Sequence, residues 1–100
     1  MTATVVRYEA KPDRADENQQ LIEAVFADLE ARETQGFTYQ VFRLEDGVSV
    51  VHVVIEHDVP NADSLQDVPA FQKFVQDIAD RCEVPPLAMG ATVVGRHLGG

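Results

Sequence analysis

The sequence predicts an α+β domain whose elements follow the order β-α-β-β-α-β. Two observations carry the prediction, and a third joins the central pair of strands. Segments 2–10, 37–44, 48–57 and 89–97 are rich in valine, threonine and aromatic residues, the composition of strands. Two further segments repeat apolar residues at helical spacing. Between the second and third strand segments stands Asp46-Gly47, a strong short hairpin signal. The 100 residues are 45% hydrophobic and 25% charged, a globular composition. They are expected to form a single domain over residues 1–100, around one core.

The first strand spans residues 2–10, and Pro12-Asp13 ends it. Asp13 is a candidate N-cap for a helix that runs to about Glu33, and Asp16 and Glu17 place negative charge in its first turn. Leu21, Ile22, Val25, Phe26 and Leu29 mark its apolar face, and Gly36 is the expected terminator. The second strand covers Phe37 to Leu44 and the third Val48 to His57. A loop with Pro60 and Asn61 leads to a second helix, expected from Asp67 to about Glu83 with Asp67 as cap and Pro69 in the first turn. Its face is Val68, Phe71, Phe74, Val75, Ile78 and Cys82. Pro85-Pro86 should block continuation, leaving Met89 to His97 as the fourth strand.

This order is the ferredoxin-like arrangement: an antiparallel sheet with both helices on one face. The third strand does not alternate as a half-solvated strand should. Val48, Val50 and Val54 point one way, and Val51, Val53 and Ile55 the other. Val5 against Val6 and Tyr8, and Val93 against Val94, repeat the pattern more weakly. Two helices cover only one face. Leaving the other wet would forgo on the order of 5–10 kcal/mol of apolar burial, comparable to the stability of a small domain. A homodimer joined through that sheet face is therefore expected.

Eight basic against 17 acidic residues give a net charge of −9, which argues against nucleic acid and anionic membranes as partners. The lone Cys82 excludes an internal disulfide and Cys-rich zinc motifs. His52, His57 and His97 lack metal-ligand spacing, so no metal is expected. Met1 to Tyr8 do not read as a basic, then apolar segment, so no signal peptide is expected, and no apolar run is long enough for a membrane helix. A cytoplasmic location is expected.

A two-residue turn at Asp46-Gly47 would pair Glu45 with Val48, Arg43 with Val50, Val41 with His52 and Tyr39 with Val54. Tyr39, Arg43 and His52 would then share one face, His52 lying between the other two. A three-residue loop would instead set His52 with Gln40 and Phe42. On the first register, Arg43 could hold developing negative charge and His52 could move a proton, a set suited to a phenolic or enolate ligand.

The element order, the doubly apolar sheet and the segment Leu65-Gln-Asp-Val-Pro-Ala-Phe71-Gln-Lys-Phe74 resemble the dimeric α/β barrel superfamily, and within it the antibiotic-biosynthesis-monooxygenase-like (ABM) group. Pro69, Phe71 and Phe74 match the group's Pro-x-Phe-x-x-Phe signature. The resemblance implies a homodimer whose sheets close into a barrel, with a ligand pocket between sheet and helices. It also implies cofactor-independent oxygenation of aromatic or polyketide-like molecules as one activity. Many members carry a histidine just upstream of the signature, where this chain reads Asp63-Ser-Leu-Gln-Asp-Val68. Haem-degrading members need a tryptophan, and this chain has none. No catalytic residue of the family carries over.

The expected ligand contacts are Tyr39, Arg43, Phe71 and Phe74, with His52 as the catalytic residue and no cofactor. Three functions stay open: a monooxygenase-like enzyme, a non-catalytic small-molecule-binding or stress-related module, and an assembly protein. The first two need a pocket for a small hydrophobic ligand behind the sheet. The third predicts that Phe26, Phe71 and Phe74 fill that space.

Overall fold

A computed structural model of the chain describes Thr2–Gly100. The elements are β1 (Thr2–Ala10), α1 (Ala15–Ala31), β2 (Phe37–Arg43), β3 (Ser49–Glu56), α2 (Pro69–Gln76), α3 (Ile78–Arg81) and β4 (Cys82–Ala91), with a single 3-10 turn at Leu65–Asp67 before α2. The four strands form one antiparallel sheet in the order β2-β3-β1-β4. This is the expected ferredoxin-like topology. Tyr8, Tyr39 and Val50 from the sheet and Ile22, Val25 and Phe74 from the helices belong to one buried cluster, so the helices cover a single sheet face.

Several local expectations need correction. Asp13 does not cap α1. Arg14 occupies the N-cap position with no side-chain cap hydrogen bond, and it instead bonds Glu17 through Nε and Nη2. Gly36 does not terminate α1 either. Glu33 takes the left-handed conformation at φ 51°, its N–H donates to the Glu30 carbonyl and that of Thr34 donates to the Leu29 carbonyl. These two bonds form a Schellman ending with glutamate where glycine is usual. Gly36, at φ 99°, serves a different need: a Cβ there would lie 2.5 Å from the Ala62 Cβ.

The β2–β3 register is the expected one, with Arg43 opposite Val50, Val41 opposite His52 and Tyr39 opposite Val54. The turn is not the expected two-residue one. Leu44 N–H donates to the Ser49 carbonyl and Gly47 N–H to the Leu44 carbonyl, so four residues, 45–48, form the loop. Asp46 organises it by accepting from the Val48 and Ser49 amides and the Ser49 hydroxyl. These bonds hold the Asp46 carboxyl below its usual range. Four loop residues keep the same parity as two, which is why the register survives.

The second helix is not continuous from Asp67 to Glu83. It breaks at Asp77 between α2 and α3. Asp67 is not its cap: Val68 stands at the N-cap and Pro69 at the first helical position. The Ala70 N–H is accepted instead by Asp28 Oδ2, a cap supplied by the neighbouring helix.

Strand β4 begins at Cys82, so Cys82 sits on a strand and Val93 and Val94 lie beyond the sheet. Pro85 and Pro86 are inside β4, not in a loop. They fall where the register shifts, between the Glu9–Val84 and Arg7–Leu87 pairs, so that two steps along β1 match three along β4. An edge strand pairs on one side only, and a bulge there tolerates the missing amide hydrogens.

The register also defines the uncovered face. Val5, Val51, Val53, Ile55, Phe42, Leu87 and Met89 share it. Phe42, Leu87 and Met89 are 50%, 59% and 62% exposed, so the helices leave this apolar surface open.

Candidate functional site

On the covered face, each inner strand contributes one polar side chain to a common point. Val6 lies opposite His52 and Tyr8 opposite Val50, which places Tyr8 diagonal to His52 across β1 and β3. Tyr39 is the diagonal neighbour on β2. Tyr39 Oη lies 2.8 Å from His52 Nδ1, and Tyr8 Oη lies 2.8 Å from His52 Nε2. The helices extend this chain of bonds. Asn18 Nδ2 of α1 donates to Tyr8 Oη at 2.9 Å. Arg81 Nε of α3 donates to Asn18 Oδ1 at 3.0 Å, and Arg81 Nη2 donates to the Phe74 carbonyl at 2.6 Å. The Arg81 guanidinium also lies over the Phe74 ring, 5.0 Å from its centroid.

All five polar side chains are buried. Burial holds the His52 imidazole down to about 4, so it is neutral at physiological pH. Burial pushes the Tyr8 phenol up to about 12, against the pull of its hydrogen bond from Asn18. Burial, with a smaller contribution from Tyr8, raises the Tyr39 phenol above its ordinary value. The centre is a neutral imidazole held between two neutral phenols.

A recess of about 200 Å³ adjoins this centre between sheet and α2. Tyr8, Tyr39 and His52, together with Thr4, Glu56 and Gln66, line its polar part, while Val6, Val54, Leu65, Phe71, Phe74 and Ile78 line its apolar part. The aromatic rings interlock: Phe26 stacks on Tyr39 at 5.0 Å between centroids, Phe71 meets Tyr39 edge-on at 6.3 Å, and Phe74 lies 5.4 Å from His52. Phe71 and Phe74 thus line the space without filling it, and Phe26 lies outside it, stacked on Tyr39 and lining the hollow beside α1.

Of the residues named from sequence, Tyr39, His52, Phe71 and Phe74 meet at this recess. Arg43 does not join them. It shares their sheet face but lines a separate hollow beside α1, where it bonds Asp16, Gln19 and the Gly47 carbonyl. It stands four steps along the strand from Tyr39, roughly 13 Å at strand rise. His57 lies on the opposite face, bonded to Thr38. Sequence reasoning missed Tyr8, Asn18 and Arg81 as site residues. The signal for two of them was present: Asn18 and Arg81 continue the apolar stripes 18-22-25-29 and 74-78-81, where a polar side chain must be satisfied internally.

Among the described residues, no group of three His, Cys, Asp or Glu side chains is placed to hold a metal ion, and no helix is long and apolar enough to cross a membrane.

No family sequence model matches the chain, and no curated protein sequence does. Solved structures do. The Rv0793 protein of Mycobacterium tuberculosis aligns at a TM-score of 0.71 and 16% identity, over 95% of this chain and 96% of its own. A protein named antibiotic biosynthesis monooxygenase aligns at 0.71 and 16%, over 95% and 100%. A Caulobacter crescentus protein provisionally given the same name aligns at 0.69 and 18%, over 94% and 90%. At such identities the likeness concerns architecture. This chain has the fold of the antibiotic biosynthesis monooxygenase-like proteins, an α+β ferredoxin-like domain.

Proposed function

We propose that this chain is a small cofactor-independent, monooxygenase-like enzyme, and that its recess takes a small aromatic or polyketide-like molecule. The observation that carries this reading is the recess itself: an aromatic-walled space of about 200 Å³ in which the hydrogen-bonded set Tyr39, His52 and Tyr8 forms one polar wall, with Thr4, Glu56 and Gln66 also on its lining. A planar ligand would lie against Phe71 and Phe74 and direct its oxygen at Tyr39, with His52 behind it. In a cofactor-independent monooxygenation one atom of dioxygen enters the substrate and the other leaves as water. The substrate supplies the electrons. The protein's part is then to bind, orient and stabilise the electron-rich form that meets dioxygen. The structural neighbours named as antibiotic biosynthesis monooxygenases support this choice of reaction.

Dioxygen uptake with a panel of polycyclic phenols and quinols tests the proposal. Turnover by the wild-type protein, cut at least tenfold in Tyr39→Phe and His52→Ala, is the expected result. Unchanged turnover in His52→Ala would remove that residue from the chemistry.

One observation favours a second reading, a binding module without catalysis. Both His52 nitrogens are engaged, and burial holds its imidazole far below neutrality, so His52 is not poised to exchange protons near pH 7. Saturable binding of the same panel with no dioxygen uptake would select this alternative.

The open sheet face belongs to the same proposal as a homodimer interface. Phe42, Leu87 and Met89 are exposed beside half-buried Val5, Val51 and Val53, and a second copy would cover them. Sedimentation at micromolar concentration should show a dimer, weakened by Met89→Asp. A stable monomer would refute the interface.

A further inference from the structure

The chain Arg81–Asn18–Tyr8–His52–Tyr39 has a direction, and its charged end determines it. An arginine side chain only donates hydrogen bonds. The Asn18 atom facing Arg81 Nε must therefore be the amide oxygen, which turns the Asn18 NH₂ toward Tyr8 Oη. An NH₂ cannot accept the Tyr8 proton. Tyr8 Oη has two partners, Asn18 Nδ2 and His52 Nε2, so its proton goes to His52 Nε2. His52 then carries its own proton on Nδ1 and donates it to Tyr39 Oη. Tyr39 Oη has no second hydrogen-bond partner among the described residues, so its proton has no protein acceptor. Tyr39 lines the recess. Arg81 and Asn18 are each 1% exposed, so solvent does not reorient the charged end.

We propose that Arg81 and Asn18 act as positioning residues that polarise this chain, so that Tyr39 presents its O–H to the recess and the site prefers ligands with a strong acceptor oxygen: a deprotonated phenol, an enolate or a quinone carbonyl, over a neutral phenol, whose hydroxyl is a weaker acceptor and whose own proton Tyr39 does not accept. The ligand class rests on the reading of the recess as a binding site. The direction of the chain does not.

The two parts are tested separately. Long-range proton–nitrogen correlation spectra of ¹⁵N-labelled ligand-free protein report which His52 nitrogen is protonated. The expected result is an Nδ1–H tautomer, and an Nε2–H tautomer overturns the proposal. Asn18→Asp preserves shape and keeps a partner for Arg81, but its carboxylate accepts only. Tyr8 must then donate to it, Nε2–H must donate to Tyr8, and Tyr39 must donate to Nδ1. The tautomer is expected to invert in this variant, and an unchanged tautomer in a folded Asn18→Asp protein counts against the polarising role. If that variant does not fold, the wild-type tautomer alone decides. The ligand class is read with 4-nitrophenol, whose absorbance separates its neutral and ionised forms. The wild-type protein should bind the phenolate roughly 10–100-fold more tightly than the phenol, a ratio typical of one hydrogen bond to a charged oxygen, and Asn18→Asp should lose that preference. Preference for the neutral phenol in the wild-type protein would overturn the assigned class. Binding of neither form tells against the recess as a ligand site, while the ring tautomer still settles the direction of the chain.

Discussion

Lowering the pH from neutrality should destabilise this protein through His52. The imidazole titrates near 6.5 when unfolded and near 4 in the native state, because burial between Tyr8, Tyr39 and Phe74 disfavours the cation. Between those two values the unfolded chain binds the extra proton and the native state does not, so stability falls as pH falls. The full difference corresponds to about 3 kcal/mol, of which about 2 kcal/mol is already lost at pH about 5. For a domain of this size 2 kcal/mol is a shift of roughly 8–16 °C in Tm. Urea unfolding at pH about 7.5 and about 5 measures the loss. Repeating it in His52→Gln, which cannot titrate, subtracts whatever His57, His97 and the carboxylates contribute in common. The wild-type protein should lose about 2 kcal/mol more than the variant over this interval. Equal losses would show that His52 reaches water or a proton acceptor in the native state, and the description of a dry neutral centre would fail.

Three further substitutions probe the frame of the site. Phe74→Ala removes the ring that contacts His52, Phe71 and Arg81 and is expected to cost about 3–5 kcal/mol in chemical denaturation; a cost below about 1 kcal/mol would mean that the core recloses over the gap. Glu33→Gly relieves a non-glycine residue at φ 51° and should stabilise by roughly 0.5–1 kcal/mol, read as a higher urea midpoint. Gly36→Ala should destabilise by at least about 1 kcal/mol, because it combines a positive φ with a 2.5 Å approach to Ala62. An unchanged midpoint would show that the 57–64 loop yields at little cost.

The sheet was largely legible because its signals are local. Runs of β-branched and aromatic residues identify β1, β2 and β3, and the turn sequence sets a parity that a longer loop preserves. The error at β4 has a specific cause. Pro85-Pro86 stops a helix wherever it stands, but its cost in a strand depends on whether the strand lies at an edge, and edge position is a property of the assembled sheet. The caps failed for a related reason. Asp13 and Asp67 have the right chemistry at the right distance, yet the Ala70 amide finds its acceptor in Asp28 of another helix, 42 residues away in sequence.

The site divides along the same line. Tyr39 and His52 belong to one hairpin, so their meeting follows from a local register. Tyr8 joins them only through the β1–β3 pairing, and Asn18 and Arg81 only once both helices have docked. What the sequence did contain was a conflict: an amide and a guanidinium on stripes otherwise committed to the core. Burying a cation is costly unless hydrogen bonds satisfy it, and here they lead through Asn18 to the one histidine on the covered sheet face. A hydrophobic pair at 18 and 81 would fill the same volume and avoid that cost. The polar pair adds a fixed direction for every proton between Arg81 and Tyr39, which an apolar core cannot supply. A polar residue on an apolar stripe is therefore the feature of this chain from which a buried site should be sought, ahead of the surface charges that outnumber it.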